Sequence, residues 1–244
     1  MEGYTFADAH CHVESCSGPI PPDILIISCG TSHQTNLRNA KIAQEHPNVY
    51  ICAGISPQEA IRHKQIKVSL VEWEEAIEKE IAPAGKLVGI GEIGLDYYWG
   101  KTEEEKYLQH ECFISQLQLA ERLGLPVVVH SRQAEKECVE ILENFNLHYL
   151  LHCFSGDAAT AAQATSKNGW ISVPPLRSGR RKELISLIPP ERILAESDAP
   201  AIGKSPSDTF ESIKLIAEAK NWSVEEAKYR TLFNTISFFN IGKR

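Results

Sequence analysis

The chain has 244 residues, of which 43% are hydrophobic and 23% are charged, and its formal net charge is −7. This composition is typical of a globular protein with a full core and excludes an intrinsically disordered chain. An acidic chain is also not built to wrap duplex DNA through a broad basic face. We expect a single domain over residues 1–244.

The cellular compartment is predicted from the apolar segments and the cysteines. No apolar run approaches the roughly 20 residues that span a bilayer. The first residues, MEGYTFADAHCH, carry no basic segment followed by an apolar stretch. The seven cysteines form no CxxC pair, which is typical of reduced thiols. We therefore expect a cytoplasmic protein with no membrane partner and no obligate protein partner.

Short apolar runs, mostly β-branched, alternate with helical patterns along the chain. Because these runs are continuous, they indicate parallel strands that are covered on both faces. The strands are predicted near 4–9, 24–29, 49–54, 87–92, 126–130, 148–153, 169–173 and 192–197. The helices are predicted near 34–46, 69–81, 103–123, 134–145, 157–168, 180–188, 206–220 and 223–240. Pro206 and Ser223 are typical helix starts.

This alternation predicts an α/β fold, a closed (β/α)₈ barrel of the TIM type, more readily than an open doubly wound sheet. The segment between the first two strands, VESCSGPIPPD, is too short and too rich in proline to form a full helix. The first βα unit is therefore predicted to be degenerate, which leaves that side of the barrel mouth less covered.

Histidines and carboxylates stand at the carboxyl ends of several predicted strands, where the active site of a parallel barrel lies. A single histidine at a strand end is more often a hydrogen-bonded core residue than a ligand. Candidate ligands at the ends of five separate strands are not expected by chance, so we interpret the set as a metal site. Its members are His10 and His12 in strand 1, Glu92 in strand 4, His130 in strand 5, His152 in strand 6 and Asp198 after strand 8.

Residues two apart in a strand share a face, which predicts where the neighbours of these ligands point. His10 and His12 should point into the barrel and Cys11 toward the helices, so Cys11 is interpreted as structural. Asp8 is predicted to lie one layer below the histidines and to orient one of them through its free ring nitrogen. Glu196, two residues before the last ligand, has the same predicted role. The alternative for both carboxylates is a barrel-layer residue with its own hydrogen bonds.

The mixture of four imidazoles and two carboxylates limits the choice of metal. It favours Zn, Mn, Ni or Fe over Ca, and it fits Mg where waters complete the shell. Six ligands are too many for one catalytic tetrahedral zinc, which must keep an open position. Two divalent ions (Mg²⁺, Zn²⁺ or Mn²⁺) about 4 Å apart, bridged by a carboxylate and a water, would use all six.

Six stretches spread over the chain form a specific combination: DAHCH (8–12), GEIGLDYY (91–98), QLQLAERLGLPVVVHSR (116–132), HCFSG (152–156), ESDAP (196–200) and NTISFF (234–239). In this combination the sequence resembles the TatD family of metal-dependent hydrolases, within the wider amidohydrolase-like barrels. The resemblance implies a TIM-type barrel, two divalent metals and hydrolysis of phosphodiester bonds in DNA. By position, it also implies how the ligands divide between the metals: His10, His12 and Asp198 on one, His130 and His152 on the other, and Glu92 on both.

The chain departs from many family members after strand 3. Where they carry a histidine in a GxHP segment, this sequence has GISP (54–57), with Ser56 in place of the histidine. The change lies outside the predicted ligand set and on the same rim as the shortened first unit. We therefore expect it to affect substrate contact rather than metal binding.

The predicted mechanism is attack by a metal-activated water. Asp198 is expected to orient the water and accept its proton, and Glu92 to supply the bridging charge. Arg132, Arg177 and Arg180 are predicted to bind substrate phosphates, with a surface salt bridge as the equal alternative for each. The last two belong to a basic cluster, completed by Arg181 and Lys182, that follows strand 7 on the catalytic rim.

Three functions remain open from the sequence. The first is a deoxyribonuclease or related phosphodiesterase that acts on single-stranded DNA or DNA ends. The second is an amidohydrolase or esterase acting on a small molecule, which the acidic charge and Ser56 favour slightly. The third is a metal-binding protein without catalysis, and the intact ligand set argues against it.

Overall fold

A computed structural model describes residues 3–62 and 66–242. Its eight strands are parallel and pair in sequence order, each with the next. The fold class predicted from the sequence is confirmed. The predicted domain range, 1–244, includes residues 1–2, 63–65 and 243–244, which lie outside the described residues. The strands are β1 (Phe6–Cys11), β2 (Ile24–Cys29), β3 (Val49–Ala53), β4 (Leu87–Asp96), β5 (Val127–Arg132), β6 (Tyr149–Leu151), β7 (Gly169–Val173) and β8 (Ile193–Ala195).

The barrel closes at its carboxyl end between the first and last strands. The backbone nitrogen of Asp198, just beyond β8, donates a 3.0 Å hydrogen bond to the carbonyl of His10. The backbone nitrogen of His12 donates a 2.7 Å hydrogen bond to the carbonyl of Ala199. These two bonds hold three of the predicted ligands at one seam of the barrel.

Helices follow most strands and cover the barrel from outside. Between β1 and β2 the chain forms only a 3₁₀ turn, Val13–Ser15, so the first βα unit is degenerate as predicted. A short helix directly after β3 was not predicted. The helices are α1 (His33–Glu45), α2 (Pro57–Arg62), α3 (Ile66–Ala76), α4 (Glu103–Leu123), α5 (Glu135–Leu142), α6 (Ala158–Thr165), α7 (Gly179–Leu187), α8 (Thr209–Lys220) and α9 (Val224–Phe238). None of these described helices is long and apolar enough to cross a membrane.

Capping residues fix where several helices begin. Ser32 and Thr102 each form a capping box at the starts of α1 and α4. Ser223 caps α9, at the predicted start. Pro206, the other predicted start, instead opens a 3₁₀ turn, Pro206–Asp208, and α8 begins directly after it. A 3₁₀ turn at a helix start is common because it tightens the first turn.

Apolar side chains fill the amino end of the barrel. Val128, Leu150 and Leu194 pack in one cluster with Phe238 and Phe239, at the end of α9. All five side chains are buried. The end of α9 therefore plugs the bottom of the barrel, and this packing is expected to stabilise the fold.

Two strands carry a bulge directly below the carboxyl end. From Asp8 to Cys11, β1 takes three residue steps against two of β2, and β4 does the same against β5 between Ile90 and Ile93. Such a bulge shifts the alternation of side chains by one residue. In β1 it lets His10 point toward the barrel mouth while Cys11 packs, as predicted, in the core that the strands share with the helices.

The same bulge changes the direction of Asp8. Its Oδ1 accepts a 2.9 Å hydrogen bond from the backbone of Ser197, and its Oδ2 accepts one of 2.6 Å from the Ser197 hydroxyl. The prediction that Asp8 orients a histidine ring is therefore wrong, because it assumed unbroken alternation. Asp8 instead has its own hydrogen bonds, as in the alternative prediction of a barrel-layer residue, and it also accepts one of 3.3 Å from the backbone nitrogen of His10.

Candidate metal centre

The six predicted ligands meet at the carboxyl end of the barrel, with Glu92 in the middle. The Oε2 atom of Glu92 lies 3.5 Å from Nε2 of His10 and 3.3 Å from Nε2 of His12. Its Oε1 atom lies 3.0 Å from Nδ1 of His130 and 3.5 Å from Nε2 of His152. Each oxygen of this one carboxylate therefore faces a different pair of histidines.

Two glycines allow β4 to hold Glu92 in this position. A Cβ atom on Gly91 would lie 2.7 Å from the Cβ of Val128 on the neighbouring strand. Gly94 has a φ of +131°, and a Cβ there would lie 2.1 Å from the carbonyl oxygen of His130. Only glycine allows β4 to approach β5 this closely, which brings Glu92 beside His130.

His12 has one ring nitrogen fixed by the backbone. Its Nδ1 lies 2.8 Å from the carbonyl oxygen of Cys29, which can only accept a hydrogen bond, so Nδ1 carries a proton. Its Nε2 lies 3.3 Å from Glu92 Oε2 and 3.7 Å from Asp198 Oδ1. Nε2 is therefore the atom that can bind a cation.

His10 is fully buried, and neither of its ring nitrogens has a hydrogen-bond partner among the described residues. Its Nε2 lies 3.5 Å from Glu92 and 3.6 Å from Asp198, and its ring stacks on that of His152 with centroids 3.8 Å apart. A buried polar atom without a partner is costly. A cation bound at Nε2 would remove part of that cost, so the position fits a metal ligand.

His130 is held from behind by Asp96, the last residue of β4. The Nε2 of His130 lies 2.8 Å from Asp96 Oδ2. Its Nδ1 then faces Glu92 at 3.0 Å and Nε2 of His152 at 3.2 Å. A carboxylate behind a ligating histidine fixes its ring and raises the basicity of the other nitrogen.

Asp198 completes the group from the segment after β8. Its Oδ1 lies 3.6 Å from Nε2 of His10 and 3.7 Å from Nε2 of His12. Its φ of +47° lies in the left-handed region, which is uncommon for a residue other than glycine and occurs often at functional sites.

Glu196 lies one inward position below Asp198. It accepts hydrogen bonds from the Ser172 hydroxyl at 2.7 Å and the Cys153 backbone nitrogen at 2.6 Å. Its Oε2 lies 3.9 Å from Nδ1 of His152, which is too long for a hydrogen bond. Glu196 thus makes no hydrogen bond to the histidine ring that it was predicted to orient, and its hydrogen bonds fit the alternative of a barrel-layer residue.

Opposite charges set the protonation of the group when no cation is bound. Burial lowers the pKa of His12, but Asp198 and Glu92 raise it, to about 9. Burial also lowers the pKa of His130, but Asp96 and Glu92 raise it, to about 10. Burial raises the pKa of Glu92, but the surrounding histidines hold it well below its usual range. At neutral pH, ionised carboxylates therefore face protonated His12 and His130, and a cation must displace those protons to bind, whereas burial lowers the pKa of His10 to about 4 and leaves that ring neutral.

The donor set fits divalent metal ions. Imidazole nitrogens combined with carboxylate oxygens suit transition metals such as Zn, Mn and Fe. Three groups bring their ligand atoms within 4.8 Å of one another: His10, His12 and Glu92; Glu92, His130 and His152; and His10, His152 and Asp198. The first two groups have only Glu92 in common.

A cavity of about 560 Å³, here called the main cavity, opens above the group. Five of the six side chains line it, and His10 lies beneath. Arg132, which was predicted to bind substrate, also lines the main cavity. So does Arg181, whose Nη1 donates a 3.2 Å hydrogen bond to the carbonyl of Phe154.

The other two predicted substrate residues lie further out on the rim. Arg177 borders a neighbouring groove and forms a 2.8 Å ion pair with Glu218 of α8, which also pairs with Lys182 at 2.7 Å. Arg180 borders a separate depression. The structure therefore brings Arg132 to the centre and leaves Arg177 and Arg180 outside the main cavity.

Ser56 begins a helix instead of lining the cavity. Its Oγ accepts a 3.3 Å hydrogen bond from the backbone nitrogen of Glu59, and α2 begins at Pro57. A capping serine followed by proline is a strong helix start, which explains the short helix that was not predicted. Gln58 then reaches the main cavity, and its Nε2 donates a 2.6 Å hydrogen bond to Oδ2 of Asp96.

Asp96, Gln58 and Arg181 were not assigned to the site from the sequence. Asp96 had a detectable signal, since it follows Glu92 by four residues in the run GEIGLD, without a break. Gln58 had none, because its position depends on α2. Arg181 was recognised only as part of the basic cluster, and its direction depends on how α7 packs.

Known proteins match this chain along its length. The family described as TatD related DNase matches residues 7–240. The chain is 31% identical to the uncharacterized metal-dependent hydrolase YabD of Bacillus subtilis, over 89% of this chain and 88% of the relative. It is 29% identical to the deoxyribonuclease TATDN3 of Homo sapiens, over 97% of this chain and 95% of the relative. A solved TatD homologue of Escherichia coli, YJJV, has a TM-score of 0.85 at 25% identity, covering 97% of this chain and 98% of that one.

These matches extend over nearly the whole chain and nearly the whole of each relative. They therefore concern the complete barrel and not an isolated motif. The chain belongs to the TatD family of metal-dependent hydrolases, enzymes that act on ester bonds.

Proposed function

We propose that the protein hydrolyses phosphodiester bonds in DNA at a two-metal centre. The observation that carries this proposal is the position of Glu92, whose two oxygens face two separate pairs of histidines. A carboxylate between two ligand pairs is what a bridged pair of cations requires. The six residues proposed to hold the ions are the strand-end set: His10, His12, Glu92, His130, His152 and Asp198.

The proposed ions are Mg²⁺, Zn²⁺ or Mn²⁺. We assign His10, His12 and Asp198 to one ion, His130 and His152 to the other, and Glu92 to both. When bound, such ions supply Lewis-acid chemistry that acidifies water and neutralises charge on phosphate oxygens.

Asp198 is the proposed general base. Burial raises its pKa, but the neighbouring histidines, with His12 first, hold the pKa below its usual value. Its carboxylate is therefore ionised at neutral pH and lines the main cavity. An ionised carboxylate at this position can orient an attacking water and take its proton. Glu92, also ionised, keeps the two histidine pairs at a fixed separation.

Asp96 is proposed as a positioning residue that acts through His130. Its Oδ2 lies 2.8 Å from Nε2 of His130 and accepts a 2.6 Å hydrogen bond from Nε2 of Gln58. The ring of His130 is thereby held with Nδ1 toward Glu92. A shift of this ring would displace Nδ1, the proposed metal ligand. Metal coordination tolerates a displacement of even a fraction of an ångström poorly.

The proposed substrate form is single-stranded DNA or a DNA end. The reacting groups lie at the floor of a recessed cavity, which a paired duplex cannot enter without opening. Arg132 and Arg181 carry positive charge into that cavity although the chain as a whole is acidic. Arg177 and Arg180 are proposed to contact the backbone of a longer strand, with the Arg177–Glu218 ion pair as the competing structural role.

Hydrolysis of a small amide or ester is the second candidate function. The observation that favours it is Ser56, which replaces the histidine that the family resemblance leads us to expect and which caps α2 instead of lining the cavity. The same metal pair can serve either chemistry, so the wall of the cavity decides the substrate.

We further propose that residues 1–244 form one hydrolase domain that works in the cytoplasm without an obligate protein partner. The seven cysteines are all free thiols, as expected where the compartment keeps them reduced.

A substrate panel tests the proposed function. Metal-loaded protein is incubated with an end-labelled single strand, with its duplex, and with a set of small esters and amides. We expect faster cleavage of the single strand than of the duplex. Asp198→Asn, purified in parallel, should lose this cleavage, which excludes a contaminating nuclease. Hydrolysis of an ester or amide while DNA stays intact would replace the nuclease proposal with the second candidate.

A further inference from the structure

Tyr98, Trp99 and Arg132 form a shelf at the edge of the main cavity, here called the rim shelf. Tyr98 is 40% exposed and Trp99 is 56% exposed, although both directly follow the fully buried strand β4. Their rings meet edge to face, with centroids 5.2 Å apart. The guanidinium carbon of Arg132 lies 3.7 Å from the centroid of the Tyr98 ring, which is stacking distance.

Arg132 differs from Arg177 and Arg181 in what engages its guanidinium. Arg177 is paired with Glu218, and Arg181 donates to a backbone carbonyl. Within the described ranges, the side chain of Arg132 makes neither an ion pair nor a hydrogen bond, and its contact is the ring of Tyr98. A guanidinium held over a ring in this way keeps its N–H groups and its other face for a ligand.

One carboxylate ties the rim shelf to the metal centre. The Oδ1 of Asp96 accepts hydrogen bonds from the backbone nitrogens of Tyr98, at 3.0 Å, and Trp99, at 3.2 Å. Its Oδ2 holds His130 at 2.8 Å. Arg132 in turn follows His130 by two residues in β5. The shelf therefore lies at a fixed distance from the reacting groups, as a substrate subsite requires.

We propose that the rim shelf stacks an unpaired nucleobase of the substrate strand and thereby creates a preference for single-stranded nucleic acid. This inference rests on the proposed nuclease function and names the part of the substrate that the shelf recognises. Aromatic rings and guanidinium planes stack on any base, so the contact is tolerant of sequence. The in-plane N–H groups of Arg132 remain free to bind the adjoining phosphate. A duplex gains nothing from the shelf, because its bases are already stacked on one another.

Binding measurements without turnover test the rim shelf. Metal-loaded protein is titrated into a labelled short strand with phosphorothioate linkages, which resist cleavage, and into the same strand with abasic residues. We expect the wild type to bind the strand with bases about tenfold more tightly. Tyr98→Ala and Arg132→Lys should each bring the two affinities close together. Lysine keeps the charge but has no flat face, so a loss of preference in that variant assigns the effect to stacking.

Tyr229→Ala is the matched control, since it removes a tyrosine that is 59% exposed on α9. This variant should keep the wild-type preference. Equal wild-type affinities for the two strands, or a preference that survives in both shelf variants, would overturn the rim shelf. Cleavage of an ordinary strand by the same preparations separates this result from the proposed function. A protein that binds the strand with bases more tightly but cleaves no DNA would support the rim shelf and contradict the nuclease proposal. Cleavage of DNA without a preference for bases would support the nuclease proposal and contradict the rim shelf.

Discussion

Along β5 and β6 the inward side chain changes within two residues from Val128 to His130 and from Leu150 to His152. The amino end of the barrel is therefore closed by apolar packing, and the carboxyl end collects polar groups on the same strands. Packing at the amino end fixes the positions of the strands. The carboxyl ends of these strands then hold polar side chains close together, which would not assemble without the barrel. The ring of His10, whose nitrogens are buried without a hydrogen bond among the described residues, is tolerated because the packing beneath it offsets that cost.

An arginine stacked on an aromatic ring occurs at both ends, and the comparison shows how surroundings decide its use. At the amino end, Arg192 lies 3.9 Å from the Trp170 ring, which packs edge to face on Phe238 and donates to a backbone carbonyl. The single polar group of that ring, Nε1, is engaged within the fold. At the carboxyl end, Arg132 lies 3.7 Å from an exposed Tyr98 beside an open cavity. The first pair is part of the packing, and the second is available to a ligand.

The largest expected effect comes from breaking the polar end at its centre. Glu92→Gln removes the charge that faces both histidine pairs, and we expect the rate to fall on the order of a thousandfold. We would measure this fall as the initial rate of hydrolysis of bis-p-nitrophenyl phosphate, and quantify the bound metal in the same samples. Cys11→Ser is the neighbouring control, because Cys11 packs in the core between strands and helices and should leave the rate nearly unchanged. A strong loss in the cysteine variant would show that this view of β1 is mistaken.

Breaking the packed end should affect stability instead of chemistry. Phe239 is fully buried among the apolar side chains that plug the barrel. Phe239→Ala leaves a cavity there, and we expect the free energy of unfolding to fall by about 3–5 kcal/mol. Urea denaturation measures the change, and the rate per folded molecule should stay at the wild-type value. A variant that is as stable as the wild type but slow would mean that the two ends are not separable.

Asp96→Asn tests the positioning residue at the polar end. The amide can still accept hydrogen bonds from the Tyr98–Trp99 turn, but it no longer places a charge behind His130. We expect metal affinity and rate to fall by about 10- to 100-fold, the usual effect of losing such a partner. Asp157→Asn, at the N-cap of α6, is the matched control that should leave metal content unchanged and stability nearly so, because asparagine caps a helix as well as aspartate. Unchanged metal affinity in the Asp96 variant would leave Asp96 as a turn residue only.

The strand ends were predictable because the signal is local. An apolar run followed by a histidine or carboxylate can be recognised from the sequence, and the barrel then brings such ends together. Glu92 and His130 were identified in this way although they lie far apart in the chain.

The direction of Asp8 was not predictable, because a bulge depends on how β1 pairs with β2 and not on β1 alone. Asp96 was missed for a related reason: β4 continues four residues past its predicted end, supported by pairing with β5. Gln58 depends on the capping of α2 by Ser56. Each of these features is a tertiary effect on a short stretch of backbone.

Metal binding at neutral pH should release protons from the polar end. The carboxylates around them raise the pKa of His12 to about 9 and that of His130 to about 10, so both rings are charged until a cation displaces the proton. Raised pKa values mean that the protons leave as the pH rises, and metal affinity should therefore increase from about pH 6 to about pH 9, by up to about tenfold per unit for each proton released. Calorimetry in buffers of different ionisation enthalpy counts the protons. Affinity that is independent of pH would contradict the ligand assignment of these histidines.

The smallest effect is expected from the arginines on the outer rim of the carboxyl end, which are proposed to contribute only positive charge to DNA binding. Replacing Arg177 and Arg180 with alanine should weaken DNA binding and flatten its salt dependence by about one unit per lost phosphate contact. Because Arg177 also pairs with Glu218, its share should be the smaller one.

Arg122→Ala removes a comparable arginine, paired with Glu74 at 3.0 Å near the end of α4, and should leave the salt dependence unchanged. Hydrolysis of bis-p-nitrophenyl phosphate should survive in all these variants, because that small substrate needs only the side chains at the floor of the main cavity. If the double variant instead lost the small substrate while DNA cleavage persisted, the outer arginines would belong to the chemical step. The separation between a binding rim and a reactive floor would then have to be abandoned.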